Sequence, residues 1–205
     1  CHPPENWLAY GDIGVLLGKA IASSPAFQQV GRFQGAETIR ATVVGAGSHA
    51  TDLSGSTIFY RDMTFPLKNL PILKLTAAEE QGDAAALAQS IRDKLGWFAD
   101  EGGLSQLVLA LRGEDNPTYS RIQALARGVA DGLAPLRQAG FVPIVAVECD
   151  QAKVLGQALA PLMDGPLLCL DGVGVDSGDY LDIGAPVANG AVLPVVIKTL
   201  AFQKS

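Results

Sequence analysis

Three short apolar runs separated by helical patterns constrain this chain more than anything else in it. They cover residues 107–111 (Leu-Val-Leu-Ala-Leu), 143–147 and 166–170. A run of that length with no polar alternation is the mark of a strand covered on both faces. Between the first two runs lies a helical stripe of Ile122, Leu125, Val129, Leu133 and Leu136. Asn116 reads as its N-cap and Pro117 as its first helical residue, while Pro135 should kink or shorten it. Between the second and third runs, Val154, Leu155, Ala158, Leu159 and Leu162 form another stripe, with Asp150 as its cap. Strand, helix, strand, helix, strand over residues 106–171 is a βαβαβ unit, which calls for parallel strands and right-handed crossovers.

The rest of the chain adds strands of less certain direction, so the fold class expected is α/β with a mixed sheet. A first helix begins at Gly11 or Asp12, carries Ile13, Leu16, Leu17, Ala20 and Ile21, and ends at Ser24-Pro25. Residues 38–44 read as a central strand, 56–61 as another, and 67–75 as one that Pro66 and Pro71 place near an edge. Residues 76–82 are acidic and read as exposed. A helix over 83–98 puts Leu87, Ile91, Leu95 and Phe98 on one face. Residues 180–183 are read as a strand, and 191–202 as either a strand or, with Pro194 before it, a helix from Val195, the strand being preferred. The expected organisation is a subdomain over 1–75 packed with an α/β portion over 76–205.

Bulk properties exclude several functions. Net charge is −6 and the pI is about 4.8, with no basic stripe to neutralise phosphates, so nucleic acid is not an expected partner. Apolar residues make up 48% of the chain, yet no window reaches the roughly 18 uninterrupted apolar residues of a membrane span. Three widely spaced cysteines and the lack of a visible leader point to a reducing, cytoplasmic setting. Cys149 and Cys169 read as small core residues. The opening Cys1-His2-Pro3-Pro4 suggests a piece of a longer protein.

Candidate chemistry gathers at strand ends. In parallel sheets ligands collect beyond the carboxyl ends. Here those ends are Arg112-Gly113-Glu114-Asp115, Glu148-Cys149-Asp150 and Asp171-Gly172-Val173-Gly174. Asp171, Asp176, Asp179 and Asp182 offer oxygens that a Mg²⁺ ion would accept, but they fit no EF-hand spacing, and Asp-Gly pairs are ordinary turn formers. No direct metal site is assigned. Lys198 is a candidate partner for one of these acids, or simply reaches the surface. Glu114 and Asp115 read either as an acid/base pair or as a solvated turn before a capped helix, the second being the stronger reading. Neither a Walker A loop nor a C-x-x-C or H-E-x-x-H pattern is present, and no nucleophile or catalytic base is identified.

The remaining motif is Gly45-Ala46-Gly47-Ser48-His49, at the end of a β-branched run. Gly45-x-Gly47-x-x-Ala50 formally fits a dinucleotide fingerprint, but that fingerprint must open a helix. The residues that follow, 51–60, read as loop then strand, so the dinucleotide reading is rejected. What survives is a strand end whose bare main chain approaches an adenosine.

With these residues in view, a family resemblance is clear. Glu37-Thr38-Ile39-Arg40-Ala41-Thr42-Val43-Val44 with the glycine turn, Leu53-Ser54-Gly55-Ser56-Thr57-Ile58 and Gly11-Asp12-Ile13-Gly14 resemble the EutA family of ethanolamine utilisation proteins. So do Asp182-Ile183-Gly184-Ala185-Pro186 and the run from Ala191 to Phe202. The likeness spans essentially the whole chain and implies its C-terminal part. It implies an actin/Hsp70-like (ribonuclease H-like) ATPase-type fold. It further implies ATP with Mg²⁺ as cofactor, a chaperone-like role in reactivating adenosylcobalamin-dependent ethanolamine ammonia-lyase, and that lyase as partner. Gly45, Ala46, Gly47, Ser48 and His49 then carry over as the adenosine contact. Ala46 departs from the adjacent glycines usual in that superfamily. The Asp-x-Gly phosphate hairpin has no counterpart at the required place, so this chain alone is expected not to hydrolyse ATP. The alternative function is a non-catalytic module that docks the lyase or other proteins of the pathway. A cytoplasmic location associated with a bacterial microcompartment and a homo-oligomeric state complete the expectations.

Overall fold

A computed structural model describes residues 14–25, 48–53, 57–99 and 103–199. The chain forms two compact units, Cys1–Ala41 and Thr42–Ser205. Within the first, α1 (Gly14–Ser23) is the expected helix, ended at Ser24-Pro25, with Leu16, Leu17 and Ile21 exposed. The strand expected over 38–44 and the turn residues Gly45, Ala46 and Gly47 lie outside the described residues.

Among the described residues the second unit is built on one eight-stranded sheet. Its strands are β1 (Ser48–Leu53), β2 (Phe59–Arg61), β3 (Leu67–Lys74), β4 (Val108–Leu111), β5 (Ile144–Val147), β6 (Leu167–Asp171), β7 (Tyr180–Ile183) and β8 (Pro194–Thr199), in spatial order β1-β8-β7-β3-β4-β5-β6-β2. β3 to β6 run parallel, and every other pairing is antiparallel. The βαβαβ expectation therefore holds, extended by a further parallel strand, β3. Sequential order with one handedness places every crossover helix on the same face. That face holds α2 (Ala77–Glu80), α3 (Ala84–Leu95), α4 (Tyr119–Gly132), α5 (Ala134–Gln138) and α6 (Ala152–Leu159).

The core divides accordingly. Leu73, Leu109, Leu111, Val145, Val147 and Leu167 face the helices, where Leu87, Ile91, Leu125, Val129 and Leu155 meet them. Ile72, Val108, Ala110, Ile144, Ala146 and Leu168 face the other way, covered by Val173, Val175, Leu193 and the antiparallel strands. All four residues of β4 and of β5 are buried, as their unbroken apolar runs require. Helix contact is closest between α3 and α4. A Cβ on Gly128 would lie 2.6 Å from Leu87, and one on Gly132 would lie 2.8 Å from Ile91, so the two glycines let the backbones approach.

Four local expectations are corrected. The stretch 67–75 is not an edge strand: β3 sits between β7 and β4. Pro71 lies just before the β3–β4 ladder, which starts at Ile72↔Val108, and pairs with Tyr180 of β7 on its other side. Asn116 does not cap α4. Thr118 does, its hydroxyl accepting from Arg121 N at 3.2 Å, and Asn116 instead takes a left-handed turn with φ 51°. Asp150 does not cap α6. The main-chain N–H of Ala152 is taken by Asp171 from the end of β6, at 3.2 Å. Residues 76–82 are not wholly exposed, because α2 turns Glu80 inward. Pro135 behaves as expected. It sits in the first turn of α5, and the helical stripe breaks into two at Leu133.

Candidate functional site

The carboxyl ends of β3 to β6 form a polar crown above the apolar core. Lys74, the last residue of β3, donates to Glu148 Oε1 (3.1 Å), Asp176 Oδ1 (2.9 Å) and the carbonyl of Val175 (2.6 Å). Burial by itself would lower the Lys74 pKa, but the hydrogen bonds it donates to Asp176 and Glu148, with their negative charge, outweigh it, and the ammonium is held above its ordinary range. One lysine thus ties the loop after β6 to the end of β5.

The adjacent β4–α4 loop wraps around Glu80. Its two carboxylate oxygens accept from the main-chain N–H groups of Arg112 (2.8 Å) and Gly113 (3.0 Å). Burial pushes this carboxyl up, and those N–H bonds only partly offset the effect. Gly113 must be glycine here: its φ is +77°, and a Cβ would stand 2.1 Å from Gln151 Nε2 and 2.7 Å from Val147. Arg121 braces the loop from α4, donating to Glu114 Oε1 (2.6 Å) and to the Glu80 carbonyl (2.5 Å). Burial first, and then the carboxylate of Asp115, push the Cys149 thiol up from its ordinary value, the opposite of the shift that activates a cysteine nucleophile. Ala77, Glu80, Arg112, Glu114, Asp115 and Cys149 border a cavity of about 280 Å³. That is close to the lower end of the range for small-ligand pockets.

The expected acids are dispersed rather than gathered. Asp171 is buried and caps α6, and the Thr57 hydroxyl hydrogen-bonds both it and Asp150. Asp176 joins Lys74, and Asp179 accepts from the main chain of Asp176 at 2.8 Å. Asp182 forms an ion pair with Lys198 at 2.5 Å, which settles the partner of that lysine. Among the described residues no three His, Cys, Asp or Glu side chains converge as metal ligands. Glu114 is not an acid/base partner for Asp115 but the counterion of Arg121.

Ser48 and His49 occupy the first two positions of β1, paired with Thr199 and Lys198. The strand runs on to Leu53, where the sequence read as a loop. Sequence reasoning missed Glu80 and Gln151. Glu80 had a partial signal: Thr76-x-x-Glu79 is a capping box, realised by bonds in both directions, which marks a helix start in the stretch that carries Glu80. Gln151 carried none, because glutamine at a helix start is ordinary.

Comparison with known proteins gives the wider frame. The family model described as ethanolamine utilisation protein EutA matches residues 2–203. A protein of Salmonella typhimurium strain LT2 named ethanolamine ammonia-lyase reactivase EutA is 36% identical over 202 residues, covering 98% of this chain and 42% of that protein. Its namesake from Escherichia coli K12 is 34% identical over the same span and shares. The chain therefore spans less than half the length of these relatives. No solved structure matches. With a family model running from residue 2 to residue 203 and two relatives aligned along 98% of its length, this chain belongs to the EutA family of ethanolamine utilisation proteins.

Proposed function

We propose that this chain is the C-terminal part of a chaperone-like reactivating factor for adenosylcobalamin-dependent ethanolamine ammonia-lyase. In this reading ATP drives exchange of damaged cobalamin for intact cofactor. The carrying observation is the alignment of 98% of the chain with two proteins named as reactivases of that lyase. The fold of the whole protein is then actin/Hsp70-like. ATP and Mg²⁺ are its cofactors, with the main chain of Gly45, Ala46, Gly47, Ser48 and His49 against the adenosine. ATP supplies the free energy of phosphoanhydride cleavage. This chain contributes bare backbone at the glycines, where an absent Cβ allows close approach. The lyase is the partner, the setting is the cytoplasm and its microcompartments, and the protein self-associates.

The full-length protein, mixed with cyanocobalamin-inactivated lyase, ATP and fresh adenosylcobalamin, restores turnover under this proposal. Failure to recover activity removes it. A second reading is a non-catalytic docking module. It is favoured by the internal commitments of Asp171, to the start of α6, and of Asp182, to Lys198. Calorimetry of this chain with ATP or ADP separates the two: heat of binding supports an adenosine pocket, and silence supports docking.

A further inference from the structure

Two buried polar groups that line one small hollow lack the partners their chemistry calls for. Glu80 is 5% exposed, yet its carboxylate meets only neutral main-chain N–H groups and forms no ion pair among the described residues. Gln151 is 3% exposed, and neither atom of its amide has a hydrogen-bond partner among the described residues. A buried carboxylate that feels Arg121 only at a distance, with no ion-pair contact, and a buried amide unpartnered among the described residues are both costly arrangements. The hollow they share with Gly113, Glu114 and Arg121 has a volume of about 10 Å³, room for one water-sized group.

The charge balance at this hollow selects the occupant. Its ionisable lining is Glu80, Glu114 and Arg121, two negative charges against one positive. Arg121 is already committed, to Glu114 and to the Glu80 carbonyl. One negative charge is left over. Acceptor capacity remains at the second lone pairs of the Glu80 oxygens, at Glu114 Oε2 and at the amide oxygen of Gln151. A primary ammonium presents three N–H donors on a head the size of a water molecule. The same Glu80, Gly113 and Glu114 also border the 280 Å³ cavity, which provides room for a short substituent.

We propose that this hollow binds a single ammonium group, either the ammonium ion itself or the head of a small primary amine, held by Glu80, Glu114 and Gln151. A lone water would meet both atoms of the Gln151 amide, whereas an ammonium meets only its oxygen but adds the positive charge that water lacks. The inference is independent of the nucleotide reading, because it uses none of residues 45–49.

The test is titration of the chain with ¹⁵N-ammonium chloride, methylammonium chloride and tetramethylammonium chloride at constant ionic strength. Binding is followed by calorimetry and by proton NMR of the labelled ion. A resolved signal from bound ammonium, with methylammonium binding and tetramethylammonium silent, is the expected result. Gln151→Leu should weaken binding by about tenfold or more, since each lost bond to a charged group is worth at least that factor. Glu114→Gln, at a part-exposed position, should weaken it comparably while leaving the fold intact, and it serves if Gln151→Leu does not fold. No bound signal, or equal binding of tetramethylammonium, overturns the proposal. So does undiminished affinity in a folded variant.

Discussion

Gly113 and Gln151 are fitted against each other so closely that a single added carbon on the glycine would lie 2.1 Å from the glutamine amide nitrogen. The contact joins the loop after β4 to the start of α6, and so fixes the crown at the ends of two parallel strands. Replacing Gly113 by alanine combines this clash with a left-handed φ of +77°. We expect a loss of about 2–4 kcal/mol, read as a lower urea midpoint, from positive-φ strain and overpacking together. Gly140→Ala shares the positive φ, at +86°, but opens onto free space. It should cost only about 1 kcal/mol. Equal losses at the two positions would show that the contact with Gln151 is immaterial.

The close approach of α3 and α4 gives a second expectation. Gly132→Val forces a side chain into Ile91, whose atoms a Cβ already meets at 2.8 Å. The helices must separate, at a cost of about 1–3 kcal/mol. Thermal denaturation measures it. Val at Gly18 of α1, where a Cβ meets nothing within 4 Å, supplies the comparison and should leave Tm of the main unit unchanged.

Glu79 and Glu80 are neighbours with opposite pH behaviour. Burial opposes ionisation of Glu79, but its bond to Lys94 at 2.7 Å and its bonds to Thr76 outweigh burial and hold its pKa below 4.5. The stability this contributes is present above pH 4.5 and is lost as pH falls through the lowered value. For Glu80 burial wins, and the pKa lies above 4.5. Its contribution is fully present below 4.5 and is lost as pH rises through the raised value. Glu79→Gln should therefore flatten the acid limb of a stability-versus-pH curve and lower the neutral plateau, where the ionised group contributes. An unchanged acid limb would remove the Glu79–Lys94 assignment.

Arg61 clamps the turn between α6 and β6. Its guanidinium donates to the carbonyls of Ala160 (3.1 Å), Met163 (2.5 Å) and Gly165 (2.8 Å). A lysine ammonium cannot reproduce that planar fork. Arg61→Lys should lose about 1–3 kcal/mol in denaturant titrations and raise amide exchange in residues 160–165. Unaltered exchange there would show that the turn holds its shape without the clamp.

Much of this architecture was legible before any coordinates. Unbroken apolar runs at residues 107–111 and 143–147 could only be strands covered on both faces, and β4 and β5 are buried throughout. Pro135 announced the break between α4 and α5. Lys198, alone in an apolar strand, had to find an acid or reach water, and it found Asp182. These features are local: periodicity, ring closure and the cost of an unpaired charge act within a few residues.

What tertiary structure alone decided is which distant residue completes each of these local needs. The cap of α6 comes from Asp171, nineteen residues away, rather than from adjacent Asp150. The centre of the sheet falls on β3 despite its proline, because β7 returns antiparallel to cover the side β4 leaves open. Glu80 and Gln151 face one hollow only because the β4–α4 loop folds between them. Chain composition sets what each segment can bury. The identity of its partner depends on which segments the sheet brings side by side, and that is a property of the assembled fold.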